Sequence, residues 1–217
     1  MSTKDKEVTL FGEKETLPAH LQSDMNQGNE NVTADDVAIP RLKLIQKGST
    51  EFEEVGAGVF LNTISNEAYK APYVVNLHYS KEYAVFKDRN LGTEFQGTFS
   101  TEDEAKAHIE TLPRPEDYNI TPTARHVLLL LDDTGEPIQP IIYNMTGTAM
   151  QVSKMWNSQI LTKGKNGPRH GTVWQLNAKM MSNNKGSWYV PDPVYMGFAS
   201  AELFEEVARF YDETKAA

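Results

Sequence analysis

Residues 126–145, HVLLLLDDTGEPIQPIIYNM, decide how this chain folds. Its first eight residues, HVLLLLDD, form the most apolar run in the sequence, and a run this short suits a strand buried on both faces. Asp-Asp-Thr-Gly-Glu-Pro supplies the turn, and PIIYNM returns as the partner of a hairpin. Asp132 and Asp133 side by side are a pattern that metal or acid–base chemistry can use. In a turn ending Thr-Gly-Glu-Pro they read more simply as turn formers. The hairpin is expected at the centre of an antiparallel sheet.

Working towards the C-terminus, Thr148 with Gln151 at capping-box spacing opens a helix. Ala149, Val152, Trp156 and Ile160 recur at steps of three and four, which places Trp156 in a core and Gln151, Lys154 and Ser158 opposite it. LTKGKNGPRHG, residues 161–171, is too rich in glycine for regular structure and is expected on the surface. It lacks the GxxxxGK[ST] pattern of a nucleotide P-loop. Thr172, Trp174, Leu176, Ala178 and Met180 then alternate with Val173, Gln175, Asn177 and Lys179, predicting a strand with Trp174 inside and an amide-and-lysine face outside. Ser-Asn-Asn-Lys-Gly turns into a strand where Trp188 and Tyr189 are neighbours and must face opposite ways. One of these rings is expected outside if the sheet has a solvent face. Ser200 caps a last helix with Leu203, Val207, Phe210 and Tyr211 as its apolar stripe.

Towards the N-terminus, Thr101 and Glu104 form a capping box for a helix over 101–111, which Pro113 and Pro115 stop. His108 reads as its half-exposed packing residue. YVVNLHYS and YAVFKDR predict a hairpin turning at Ser80-Lys81-Glu82, with Tyr83, Val85, Lys87 and Arg89 along one face of the second strand. AIPRLKLIQKG and GAGVFLNT supply two further short apolar segments, with Arg41, Lys43 and Lys47 facing water in the first. Residues 1–37 are polar and acidic without periodicity, and are expected to form a disordered tail. Residues 38–217 are expected to form a single domain.

Charge is unevenly placed. The chain is −9 overall, yet residues 151–199 hold six cations against Asp192 alone, together with all three tryptophans. Cations that follow phosphates and rings that stack on bases are the mixture single-stranded nucleic acid needs, at about 1–3 kcal/mol per stacked base. The competing reading makes the rings core and the lysines solvated turn residues. There is no cysteine, so disulfides and thiolate chemistry are excluded. No apolar run reaches the ~20 residues of a membrane helix, and the polar start is not a signal peptide, so a cytoplasmic protein without membrane contact is expected. No nucleophile elbow, HExxH or dinucleotide fingerprint occurs, and the five histidines are scattered, so neither catalysis nor a cofactor or metal is expected.

AIPRLKLIQKG with GAGVFLNT, and later TGTAMQVSKMWNSQI, resemble a poorly characterised group of tailed-bacteriophage proteins found among replication genes, some of them described as single-stranded DNA-binding. The resemblance spans residues 38–160 in pieces. It implies an α+β fold, mainly an antiparallel sheet forming an OB-like barrel with inserted helices and a C-terminal helix. It also implies sequence-independent binding of single-stranded DNA in phage replication or recombination, in the host cytoplasm. Phage single-strand binders carry a long acidic C-terminal tail, whereas this chain ends in a helix, so contact with replication proteins falls to the acidic N-terminal segment. The expected nucleic-acid-binding residues are Lys154, Lys163, Lys165, Arg169, Lys179, Lys185, Trp188 and Tyr189, with Tyr83, Lys87 and Arg89. The alternative is a non-enzymatic phage interaction protein that binds a host or replication protein.

Overall fold

The computed structural model describes residues 27–32, 40–88, 90–92, 94–184 and 186–214. The chain separates into residues 1–38 and 39–217. Apart from a turn at 27–32, where Val32 N–H donates to Asn29 C=O, the expected tail lies outside the described residues.

In chain order the strands are β1 (Leu42–Leu44), β2 (Phe60–Asn62), β3 (Ala68–Tyr69), β4 (Tyr73–Lys87), β5 (Phe95–Phe99), β6 (Tyr118–Leu131), β7 (Pro137–Thr146), β8 (Thr172–Asn183) and β9 (Gly186–Phe198). The helices are α1 (Phe52–Val55), α2 (Glu102–Glu110), α3 (Ala149–Lys163) and α4 (Ala201–Glu213). The protein is α+β. β1, β2 and β3 form a small sheet, and the large sheet runs β7-β6-β4-β8-β9 with β5 beside the far end of β4. All the ladders are antiparallel, and the two sheets do not close into a barrel.

Where a hairpin at residues 73–89 was expected, β4 is one continuous strand of 15 residues. Ser80, Lys81 and Glu82 stay in the ladder opposite Arg125, Ala124 and Thr123 of β6. None of the three is a glycine, asparagine, aspartate or proline, so nothing there favours the φ a tight turn requires. The apolar hairpin does form, as β6 and β7, but it is off-centre: β4 is the spine and β7 an edge. Pro140 in β7, and Pro191 and Pro193 in β9, mark the two edges, where a missing N–H costs no ladder bond. Asp132 is a turn former, its carboxylate accepting from the backbone N–H groups of Thr134 and Glu136.

Alternate residues of the 126–131 run serve two cores. Ala124, Leu128 and Leu130 join Val74, Trp156, Ile160, Trp174 and Leu176 on one face. Val127, Leu129 and Leu131 join Val75, Leu77 and Val207 on the other, under the stripe of α4. Trp156 and Trp174 are both buried, their ring centroids 6.0 Å apart. α3 touches β6 and both edge strands, so the large sheet curves around it. The two flanking helices are capped as expected: Thr101 and Glu104 make a reciprocal capping box on α2, and Ser200 accepts from Leu203 N–H on α4. α3 has no side-chain cap at Thr148, contrary to the expectation from its sequence.

Candidate nucleic-acid interface

β1 spans the gap between the sheet edges. Pro40 C=O accepts from Ile142 N–H of β7 at 2.9 Å. Two residues past β1, the Gln46 amide pairs with the Tyr189 backbone of β9 in both directions, donating to its C=O at 3.0 Å and accepting from its N–H at 2.7 Å. Beside this bridge a cleft of about 560 Å³ opens, lined by Arg41, Lys43, Lys47, Thr146, Thr148, Trp188 and Tyr189 among others. Arg41 and Lys47 are exposed and, among the described residues, have no carboxylate within ion-pair distance. Lys43 bonds to Glu51 at 2.7 Å.

Trp188 and Tyr189 do face opposite ways, and both are half-buried. The Tyr189 ring packs on Gly58, where a Cβ would come within 2.7 Å of it. The Trp188 indole N–H donates to the Thr148 hydroxyl at 3.1 Å. Thr148 leaves α3 uncapped because its backbone is already helical, at φ −64° and ψ −26°, and not in the extended conformation that aims an N-cap side chain at the first turn. The indole bond makes Trp188 a partition, because a second cleft of about 460 Å³ shares Thr148, Trp188, Val190 and Pro191 with the first and adds Met155, Lys179 and Met181. A third, of about 670 Å³, shares Thr146 and adds Phe86, Lys87, Asn90 and Asn119. The three clefts form one track from Lys87 through the Arg41–Lys47 cluster and past Trp188 to Lys179.

The track is most basic at its middle. Lys87 lies 3.7 Å from Glu94, and Asp88 lines the third cleft with its carboxyl held below the ordinary range by hydrogen bonds from the Asn90 backbone and the Asn119 side chain. Asp192 lines the second. A cation cluster beside a half-exposed indole can hold a phosphate and stack a base at once.

Of the residues expected to bind nucleic acid, the fold brings Lys87, Lys179, Trp188 and Tyr189 to this track. Lys154 lines a different groove, beside Tyr79, and Lys163 and Lys165 are exposed, the first at the end of α3 and the second in the turn after it. Arg169 is not in an open surface loop: it begins a 3-10 turn and turns inward to bond Asn76 and Asn157. Tyr83 sits beneath Lys81, whose ammonium lies 5.0 Å from the ring centroid, and Val85 between Tyr83 and Lys87 is fully buried. That row of β4 is therefore no open platform. Arg89 and Lys185 lie outside the described residues. Arg41, Lys43 and Lys47 were missed as binding candidates, although their polar alternation with Leu42 and Leu44 marked them as facing water.

Among the described residues no cluster of histidine, aspartate or glutamate is arranged to hold a metal, and no helix is long and apolar enough to cross a membrane. No curated protein and no solved structure matches the chain. A family model for the Pam3 phage gp34-like protein matches residues 11–217, nearly the whole chain, and the chain belongs to that phage protein family.

Proposed function

We propose that this protein binds single-stranded DNA without sequence preference, non-catalytically, during phage replication or recombination in the host cytoplasm. The observation that carries the reading is the middle cleft, where Arg41 and Lys47, both without ion-pair partners among the described residues, stand beside the half-exposed Trp188 in a chain whose net charge is −9. An acidic protein does not gather DNA over its whole surface, so affinity must come from a local patch of this kind. An OB-like reading of the fold is supported by β1, which reaches β7 through Pro40 and β9 through Gln46 across the open side of the sheet. The acidic N-terminal segment is available to replication proteins.

A second reading, a non-enzymatic interaction protein, is favoured by a different feature. Val194, Met196 and Phe198 are all exposed at alternate positions of the edge strand β9. Titration of labelled oligo-dT at about 50 and about 200 mM salt separates the two. Strand binding predicts affinity that falls steeply with salt, depends on oligonucleotide length and ignores base sequence. No binding at the lower salt overturns it.

A further inference from the structure

Arg169 occupies an environment that the strand-binding track does not explain. Its Nη1 donates to Asn76 Oδ1 at 3.0 Å and its Nη2 to Asn157 Oδ1 at 2.7 Å, while its guanidinium carbon lies 5.5 Å from the centroid of the Tyr79 ring. Asn76 is thereby oriented with its Nδ2 towards His126 Nδ1, 2.9 Å away. His126 must accept there, so its Nε2 carries the proton and donates to Ser153 Oγ at 2.8 Å. The network joins β4, β6, α3 and the 3-10 turn, and every partner in it is neutral.

No carboxylate among the described residues lies within ion-pair distance of Arg169. Burial lowers the affinity of its guanidinium for the proton, and the same charge, after burial itself, helps keep His126 neutral. A half-buried cation is normally matched by an anion, because neutral amides only partly replace the water it loses. Here the amides leave the full charge uncompensated. Beside it lies a groove of about 450 Å³ lined by Tyr79, Gln151, Ser153, Lys154, Asn157 and Ser158, so that Arg169 stands behind its partners Tyr79 and Asn157 and is not itself part of the lining. Two of those residues belong to the network, and Lys154 adds a second, exposed cation without an ion-pair partner among the described residues.

We propose that the groove between Tyr79 of β4 and the exposed side of α3 is a binding site for a phosphate group, with Lys154 meeting it directly, the charge of Arg169 acting from behind Asn157 and Tyr79, Gln151 supplying a hydrogen-bond donor and the Tyr79 ring forming one side. The groove shares Gln151 with the second cleft of the Trp188 track, but neither Arg169 nor Lys154 lines that track. The phosphate can belong to a free nucleotide or inorganic ion, to a 5′-terminus, or to a strand backbone.

The test uses the full chain, labelled with nitrogen-15, and inorganic phosphate at constant ionic strength, chloride replacing it in the control. Expected are saturable shifts of the Asn157 side-chain amide and the Arg169 Nε–H, both weakened several-fold in Lys154→Ala, with the Asn157 shift lost in Arg169→Gln. Lys154 is exposed on a helix, so that variant retains the fold even if the arginine variant does not. Shifts that match the chloride control, or that stay unchanged in Lys154→Ala, overturn the proposal. Short oligo-dT with and without a 5′-phosphate distinguishes the sources. A response to the phosphorylated form alone assigns a terminus, a response to both assigns the backbone, and a response to inorganic phosphate alone assigns a free ligand. Failure of oligo-dT to bind the Trp188 track leaves the inorganic phosphate result decisive.

Discussion

The indole of Trp188 and the hydroxyl of Thr148, 40 residues apart in sequence, are joined by a 3.1 Å hydrogen bond that ties the edge strand β9 to the start of α3. The bond holds the ring upright between two clefts, with part of its face open. Trp188→Ala is therefore expected to cost about 1–3 kcal/mol of single-strand affinity, as loss of one stacked base does. Stability should fall much less than for Trp156→Ala or Trp174→Ala, which remove fully buried rings at about 3–5 kcal/mol each. Fluorescence titration with oligo-dT alongside urea unfolding measures both. Equal stability losses at all three positions would place Trp188 in the core.

The cations of the track should be distinguishable from those of the α3–β8 turn. Arg41→Ala, Lys47→Ala and Lys179→Ala together are expected to flatten the plot of log affinity against log salt by about 2, at about 0.7 per lost phosphate contact. Lys163→Ala with Lys165→Ala, both exposed and away from the clefts, should leave the slope nearly unchanged. The reverse result would move the interface to the turn.

His126 links stability to pH. Burial, reinforced by the charge of Arg169, depresses its folded-state pKa from 6.5 to about 3. The unfolded chain thus takes up a proton that the folded protein refuses, and stability falls as pH drops from about 6.5 towards 3. Between pH 7 and 5 the loss from this residue should be about 2 kcal/mol. Urea unfolding at the two pH values should show that loss in the native protein and a difference smaller by a similar amount in His126→Gln.

Gly58 and Tyr189 form a close contact that tolerates no side chain. Gly58 has φ of 79°, and an added Cβ would lie 2.7 Å from the Tyr189 ring. Gly58→Ala should destabilise the protein by about 1–3 kcal/mol, combining backbone strain with overpacking. A thermal melt checks this, and an unchanged melting temperature would mean that the ring moves aside freely.

Removing residues 1–37 deletes five net negative charges that end only a few positions before Arg41 in the sequence. Single-strand affinity should rise at low salt, and the gain should shrink as salt screens the tail. Thermal stability should change little. A large fall in melting temperature would make the segment part of the fold.

Much of the local structure was legible in the sequence because its causes are local. The capping box of α2, the Ser200 cap and apolar stripe of α4 and the double burial of residues 127–131 follow from side-chain chemistry at fixed spacing, and the alternation from Thr172 correctly placed Trp174 inside. The prolines of β7 and β9 carried an edge signal as well. What the sequence could not supply was any relation set by distant partners. Ser80-Lys81-Glu82 reads as a turn only until β6 arrives to pair with it. Thr148 looks like a cap, but its backbone is helical and its hydroxyl meets the indole of Trp188 from the edge strand. Arg169 looks like a solvated loop cation until Asn76 and Asn157 converge on it from a strand and a helix. The track itself joins residues from positions 41 to 188 by packing two sheet edges against one helix. Composition could announce that cations and aromatic rings were present, but only that packing decides which of them meet.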